Sequence, residues 1–443
     1  MAHAWNDRNG TIHPDSALDF LPRLQLEQLQ SQRLIAMVAH AYKNVELIRS
    51  RMDEMNVKPS DIKSIKDISK LPFMQKSDLR DTYPFGLFAV GMDEVIRLHA
   101  SSGTTGKPIV VGYTQDDLNV WESTVRRSML AFGLSNKDIL QNSFGYGLFT
   151  GGMGLHGGAQ SLGCAVVPAS GGNTERQVML IKDFGATAIS CTPSYFVHII
   201  EVAQKMGVDL KKTNLKVGIF GAEPWSENMR DYIEANTAIK AFDIYGLSEI
   251  AGPGVGCECK CHNGIHIFED HYYPEIVDPE TGAPLPDGEE GELVLTTLSK
   301  RAMPVLRYRT HDITSIYTEK CECGRTIRRI RRIGRRCDDM FIIRGVNVFP
   351  SQIEAAMMRV EECSPNYRIV LERVKDLDSV RVELELKENC YSDSIAAMEA
   401  IRKKIQAAIA AITNIRIDVK LMEPHSLPRS EGKAKRVYDN RKI

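Results

Sequence analysis

The chain carries almost no net charge, with 56 lysines and arginines against 57 acids giving −1 over 443 residues. A protein that grips nucleic acid by bulk electrostatics needs a basic excess, so that class is set aside. Long apolar runs are missing too, and no segment approaches the length that spans a bilayer. The first residues, Met1-Ala2-His3-Ala4-Trp5-Asn6-Asp7, lack a signal-peptide pattern. No membrane partner is therefore expected, and the expected compartment is the cytosol. Neither an internal repeat nor a low-complexity segment appears, so a solenoid or array is excluded. A Walker sequence is also absent. It requires glycine five residues before the glycine that precedes its lysine, and Ser or Thr after that lysine. Around Gly106-Lys107 those places hold Ser101 and Pro108.

What remains is the composition of a globular protein, 43% hydrophobic and 26% charged. Its length exceeds one ordinary core, which implies two or three domains. Ten cysteines in a reducing compartment stay mostly as thiols, so clustering among them points to metal. The most informative segment is the loop Ser101, Ser102, Gly103, Thr104, Thr105, Gly106, Lys107. Glycine lets backbone amides close on phosphate oxygens, while hydroxyls and an ammonium add donors. Its flanks, residues 94–98 and 109–113, read as strands, so the loop joins two strands and opens no helix.

Residues up to about 81 read as helical, with amphipathic spacing over 24–48. From about 97 to 297, short apolar runs alternate with helical stretches, as at 163–168, 186–190, 215–220 and 241–245. That alternation implies α/β layers with sites where strands end. After residue 338 the texture becomes a compact α+β unit. Its expected elements are helices at 351–360 and 392–412 and strands at 367–374, 379–386 and 415–422. The expected fold is α/β, with a large multi-layered domain over 1–337 and a small mobile α+β domain over 338–443.

Three further segments carry chemistry: Phe220-Gly221-Ala222-Glu223-Pro224, Asp243-Ile244-Tyr245-Gly246-Leu247-Ser248-Glu249 and Arg307-Tyr308-Arg309-Thr310-His311-Asp312. The first two break from an apolar run into glycine plus a carboxylate, and the third ends in one. Such endings suit a ligand site at strand termini. With the Ser/Gly/Thr loop, with Phe144-Gly145-Tyr146-Gly147 and with Leu427-Pro428-Arg429-Ser430-Glu431-Gly432-Lys433, they make the chain resemble the adenylate-forming superfamily. Within it, the phenylacetate–CoA ligase family is the near match, and the likeness runs over nearly the whole sequence.

The resemblance implies that a carboxylate attacks the α-phosphorus of ATP and that CoA thiol then displaces AMP. It assigns Ser101 to Lys107 to the β- and γ-phosphates. Gly221, Ala222 and Glu223, with Asp243, Tyr245 and Gly246, would form the adenine slot. Ser248-Glu249 is the core acidic motif, with Glu249 on Mg2+, an ion that favours hard oxygen ligands. Asp312 is assigned to the ribose hydroxyls and Arg336 to the same nucleotide. The family commonly has Gly-Arg directly before its small-residue-Asp-Asp sequence, whereas here the order is Gly334-Arg335-Arg336-Cys337-Asp338-Asp339. Arg335 therefore competes with Arg336. Lys433 is implied to be the adenylation lysine, acting electrostatically on the charge developing at phosphorus. Lys435 is its rival, and a solvated basic tail with Arg436 and Arg441 is the plain alternative. Asp338 is implied as the hinge and Gly345 as a wall of the pantetheine path. The acyl slot is placed at Phe144, Tyr146, Gly147 and Ile244, leaving indoleacetate or a hydroxylated phenylacetate open.

Residues 325–336 hold seven arginines, interleaved with Ile327, Ile330 and Ile333 like a strand edge. At near-neutral charge, phosphates of CoA or AMP are the expected partners for some of them. Two Cys-x-Cys clusters, with Cys257, Cys259, Cys261, His262 and His266 on one side and Cys321 and Cys323 on the other, fit a tetrahedral zinc site. Spacing does not select four ligands from these seven. Metal-containing relatives match at Gly264-Ile265-His266 and at the second cluster, which favours Cys259, His266, Cys321 and Cys323 for a structural Zn2+. The overall expectation is an aryl-acid–CoA ligase using ATP, Mg2+ and CoA, with a homodimer left open. Its rivals are adenylyl transfer to a cofactor without CoA and a zinc-stapled, non-catalytic ATP sensor.

Overall fold

A computed structural model describes residues 13–101, 108–337, 341–343, 346–374, 377–413 and 415–441. Ser102, Gly103, Thr104, Thr105, Gly106, Lys107, Asp338 and Gly345 lie outside the described residues. The amphipathic N-terminal stretch forms helices Arg23–Asn44 and Glu46–Glu54, whose apolar faces (Leu34, Val38, Ile48, Met52) are buried in the largest core.

The strands in chain order are β1 (Arg97–Ser101), β2 (Ile109–Tyr113), β3 (Ile139–Asn142), β4 (Ala165–Val167), β5 (Ala188–Cys191), β6 (Val217–Phe220) and β7 (Lys240–Leu247). They continue as β8 (Gly252–Glu258), β9 (Ile265–Ile267), β10 (Tyr272–Val277), β11 (Gly291–Thr297), β12 (Tyr308–Thr314), β13 (Arg329–Ile330) and β14 (Arg335–Arg336). As the flanks of the Ser/Gly/Thr loop imply, β1 and β2 pair antiparallel, with Ser101 opposite Ile109. The main sheet has eight strands in the order β13-β9-β8-β7-β6-β5-β3-β4. Strands β3 to β7 run parallel, and β8, β9 and β13 continue antiparallel. From β3 the chain goes outward to β4 and then returns to β5 on β3's other side. Loops at the carboxyl ends of such a switch point are where open α/β sheets bind ligands.

A second sheet, β10-β11-β12-β14, places Asp312 directly across from Arg336. Beyond it come β15 (Phe341–Ile343), β16 (Val346–Val348), β17 (Cys363–Val374), β18 (Leu377–Leu386), β19 (Asp418–Met422) and β20 (Val437–Asp439). Helices Pro350–Met357 and Ile395–Thr413 complete this part, as the sequence implies. A separate core, including Ile353, Ile369, Val382, Leu384, Ile405 and Ile409, serves these elements alone. β20, like β15 and β16, is absent from the strands expected from sequence. It pairs parallel with β17, so the basic C-terminal stretch folds back onto the small sheet.

Candidate active site

The carboxyl ends of β3, β5, β6 and β7 bring together segments far apart in sequence. After β5, Thr192 caps helix Pro193–Lys205, its hydroxyl accepting from the Tyr195 amide while Pro193 fills the first turn. After β6, Gly221 leaves no room for a side chain, since a Cβ there would lie 2.4 Å from the Ile244 carbonyl. Ala222 follows at φ 68°, a left-handed conformation that is costly for alanine and that clusters at functional sites. Gly246 is equally constrained, because its Cβ would fall 1.8 Å from the Gly252 carbonyl.

One wall of the cleft is polar and already paired. The Tyr245 hydroxyl donates to Asp312 Oδ2 at 2.6 Å, and Arg336 Nη1 donates to Oδ1 at 2.9 Å. Arg335 instead pairs with Glu290, because adjacent residues on a strand face opposite ways. Glu249 is buried, with the Tyr308 hydroxyl 3.4 Å from Oε1. Lys300 donates to the Glu249 carbonyl at 2.9 Å and lies 5.0 Å over the Tyr113 ring. Burial pushes its ammonium down to about 8. Ser248 meets the Thr150 hydroxyl at 3.0 Å. Neither Lys300 nor Tyr308 was singled out from sequence, since each acts only through the partner that folding supplies.

The loop between β19 and β20 docks on the segments that follow β5 and β6. Thr192 Oγ1 donates to the Gly432 carbonyl at 2.9 Å, and the Ala434 amide donates to Glu223 Oε2 at 2.9 Å. Lys433, exposed, is bracketed by these two contacts. Glu223 Oε1 accepts from the Ser194 amide at 2.8 Å, so its carboxylate docks this loop. That differs from the adenine contact implied for it. Burial raises Glu223 above the usual carboxylate range. The rival Lys435 has its ammonium 4.8 Å over the Tyr438 ring.

Arg429 ties the same loop to both parts of the chain. It donates to Glu201 Oε2 at 2.8 Å in the large part, and to Glu385 Oε2 at 2.7 Å in the small one. The sequence motif contains Arg429, but nothing local marks Glu201, which lies within helix Pro193–Lys205. Burial pushes Glu201 up, yet bonds from His198 and Arg429 outweigh it and hold the carboxyl at about 2 instead of 4.5. A carboxyl depressed in the folded state stabilises above its unfolded value and loses that contribution as pH falls through the folded one. Docking should therefore be constant above pH 4.5 and weaken only on acidification towards about 2. Arg429→Ala should release the loop at neutral pH, read as faster proteolysis after Leu427, whereas wild type resists until strongly acid pH.

Asp243, within β7, is paired with Arg332. Its Oδ2 accepts from Arg332 Nε at 3.2 Å, and burial raises its pKa. Of the assigned acyl-slot residues, Phe144 and Ile244 pack into the largest core. Tyr146 is half-buried, accepting from Asn142 Nδ2 at 2.7 Å and meeting His156 Nδ1 at 3.0 Å, and Gly147 is exposed beside it. His99 Nδ1 and the Ala100 amide both reach the Leu148 carbonyl, at 3.0 and 2.9 Å, which ties this loop to β1.

The arginine run finds partners within the fold. Arg325 bonds buried Asp19, Arg328 reaches Glu269, Arg329 and Arg331 lie over Tyr317, and Arg332 and Arg335 take Asp243 and Glu290. Arg325 and Arg329 are buried, Arg331 and the Arg335–Glu290 pair lie nearer the surface, and Arg336 joins the Asp312 wall.

The donor atoms of Cys259, His266, Cys321 and Cys323, all buried, lie within 4.8 Å of one another. Cys259 Sγ is 3.6 Å from Cys321 Sγ, and Cys323 Sγ is 3.4 Å from His266 Nε2. Tetrahedral zinc with bonds of about 2.0–2.3 Å separates its ligands by about 3.3–3.8 Å, so the set fits. Cys257 bonds Ser128, and His262 bonds Arg230 while stacking on Phe242. Cys261 lies within reach of Cys259 and Cys321 but is not one of the four converging donors.

Comparison with known proteins agrees with this geometry. Residues 23–299 match the AMP-binding enzyme family, and residues 345–441 match the AMP-binding enzyme C-terminal domain. Solved 2-hydroxyisobutyryl-CoA ligase in its postadenylation state superimposes with TM-score 0.91 at 27% identity, covering 98% of this chain and 95% of that one. The same ligase in its thioesterification state gives 0.71 at 99% and 97% coverage, so the chain superimposes better on the former arrangement. The chain is thus an adenylate-forming, AMP-binding enzyme. The phenylacetate–coenzyme A ligase of Thermus thermophilus is 48% identical over 439 residues, covering 96% of this chain and 99% of the relative. That of Escherichia coli is 49% identical over 421 residues, with 95% and 96% covered. The chain belongs to the phenylacetate–CoA ligase family.

Proposed function

We propose that this protein joins an aryl acid, phenylacetate foremost, to coenzyme A with cleavage of ATP to AMP and pyrophosphate. The observation that supports the reading is the loop held at Gly432 and Ala434 beside the carboxyl ends of β5 and β6, which carries Lys433, together with the paired Tyr245, Asp312 and Arg336. In the first step a substrate carboxylate oxygen bonds to the α-phosphorus, and the bond to pyrophosphate breaks. Lys433 stabilises the charge developing there, and Asp312 orients the ribose through its remaining lone pairs. Glu249 would hold Mg2+, which neutralises phosphate charge when bound. In the second step the CoA sulfur attacks the acyl carbon, AMP leaves and the thiol proton passes to solvent. The small domain, beginning at Asp338, would turn between the steps to remove Lys433 and admit CoA.

Four ligases of this name at 48–49% identity support CoA as acceptor over adenylyl transfer without CoA or a non-catalytic sensor. The buried cysteine–histidine set supports one structural Zn2+ tying the β8–β9 turn to the 321–323 loop. Incubation of ATP and Mg2+ with a panel of phenylacetate, indoleacetate, hydroxyphenylacetates and aliphatic acids tests the substrate class. Pyrophosphate release should be greatest with phenylacetate, and the thioester should appear only when CoA is added. Preference for an aliphatic acid, or turnover that ignores CoA, would refute the reading.

A further inference from the structure

A second cluster of metal-type donors lies behind the nucleotide wall. His311, on β12, directs Nδ1 towards Glu292 Oε1 of β11 at 3.4 Å and towards Cys337 Sγ at 3.4 Å. All three donors fall within 4.8 Å of one another. Tetrahedral zinc sets its nitrogen and sulfur ligands about 3.5 Å apart and its nitrogen and oxygen ligands about 3.3 Å apart. The spacing is therefore that of a preformed three-donor site.

The surroundings aim these donors. Glu292 is fully buried, its Oε2 bonded by Arg309 Nε at 2.9 Å and its Oε1 accepting the His311 amide at 2.9 Å. A carboxylate oxygen has a second lone pair, which here faces the imidazole. The Cys337 amide donates to the His311 carbonyl at 2.9 Å, holding the thiol beside the ring, and its Sγ also lies 3.3 Å from that carbonyl. The His311 side chain is 30% exposed, which leaves solvent on one side for entry and for a fourth ligand. The position is also mechanically loaded: Asp312 follows His311, Arg336 precedes Cys337, and Asp338 is next in the chain.

We propose that Glu292, His311 and Cys337 form a second, weaker site for a thiophilic divalent cation such as Zn2+, whose occupancy pins Cys337 to β12 and slows the thioester step. The clamp rests on the proposed function and its hinge, whereas the site itself does not. Binding replaces the Cys337 thiol proton, which is released to solvent, and leaves one position to water. Adenylation needs no rotation from the arrangement described and should not respond.

Metal titration of the full chain tests the site, with Co2+ as the spectroscopic probe and Zn2+ for stoichiometry. Wild type should bind one equivalent more than Cys337→Ser or His311→Asn, with a sulfur-to-cobalt absorption that the serine variant lacks. The affinity of this extra equivalent should drop at least about tenfold in either variant, since even an outer-shell partner is worth about 10- to 100-fold. Asparagine tolerates the left-handed φ of 63° at this position, so the second variant guards against misfolding in the first. Equal stoichiometry in all three proteins would overturn the site. The clamp is read from preformed acyl-AMP plus CoA. Added Zn2+ should slow thioester formation in wild type and not in Cys337→Ser. An unchanged wild-type rate with the extra equivalent bound would overturn the clamp. Failure of the ligase reading itself would show as no thioester with metal absent.

Discussion

Lys433→Ala is expected to slow acyl-adenylate formation by about 10²–10³, the typical cost of removing one preorganised electrostatic contact from a transition state. The thioester step, started from preformed acyl-AMP, should keep most of its rate. The expectation rests on where the loop is fastened: Gly432 and Ala434 are held by Thr192 and Glu223, and the exposed Lys433 lies between them. Lys435→Ala is the control, because that ammonium lies over Tyr438. Pyrophosphate release measures the first half-reaction, and thioester formation in single turnover measures the second. Equal loss in both half-reactions, or selective loss in the Lys435 variant, would remove Lys433 from its assigned role.

Metal removal should have the other large effect. Freshly purified protein should hold about one tightly bound zinc per chain, and Cys323→Ser should lose it. Loss of a structural metal is among the few changes that cost more than about 4 kcal/mol. At about 2–4 °C per kcal/mol for a domain of this scale, Tm should fall by about 10 °C. The reason is local: without the ion, three buried thiols and His266, whose Nδ1 has no hydrogen-bond partner, crowd one dry volume. Elemental analysis and calorimetry on the same samples check the pair of outcomes. Protein free of zinc with an unchanged Tm would eliminate the site, and zinc loss without a change in melting would eliminate its structural role.

Legibility differed by element. The parallel strands at 188–191 and 217–220 were readable because strands buried on both faces are continuous apolar runs. The three residues of β20 were not, because their hydrogen bonds come from β17 and not from any pattern of their own. The seven arginines show the same limit. Their spacing reads as a basic patch, and only the fold supplies Asp19, Asp243 and Glu290 as their partners.

The sequence by itself determined the strand-end motifs, the two cysteine clusters and the lysine loop, because each is a short run whose chemistry depends on neighbours in the chain. The tertiary structure decided the rest. It set Arg336 and not Arg335 across from Asp312 through strand register, and it fastened the backbone on both sides of Lys433. It gave the Glu223 carboxylate the Ala434 amide of the loop as a partner. It also brought Glu292 and His311, on neighbouring strands, together with Cys337, which follows the third strand β14. In each case the deciding quantity is a distance of a few ångströms between residues far apart in the chain, which local sequence does not encode and the packing of sheets does.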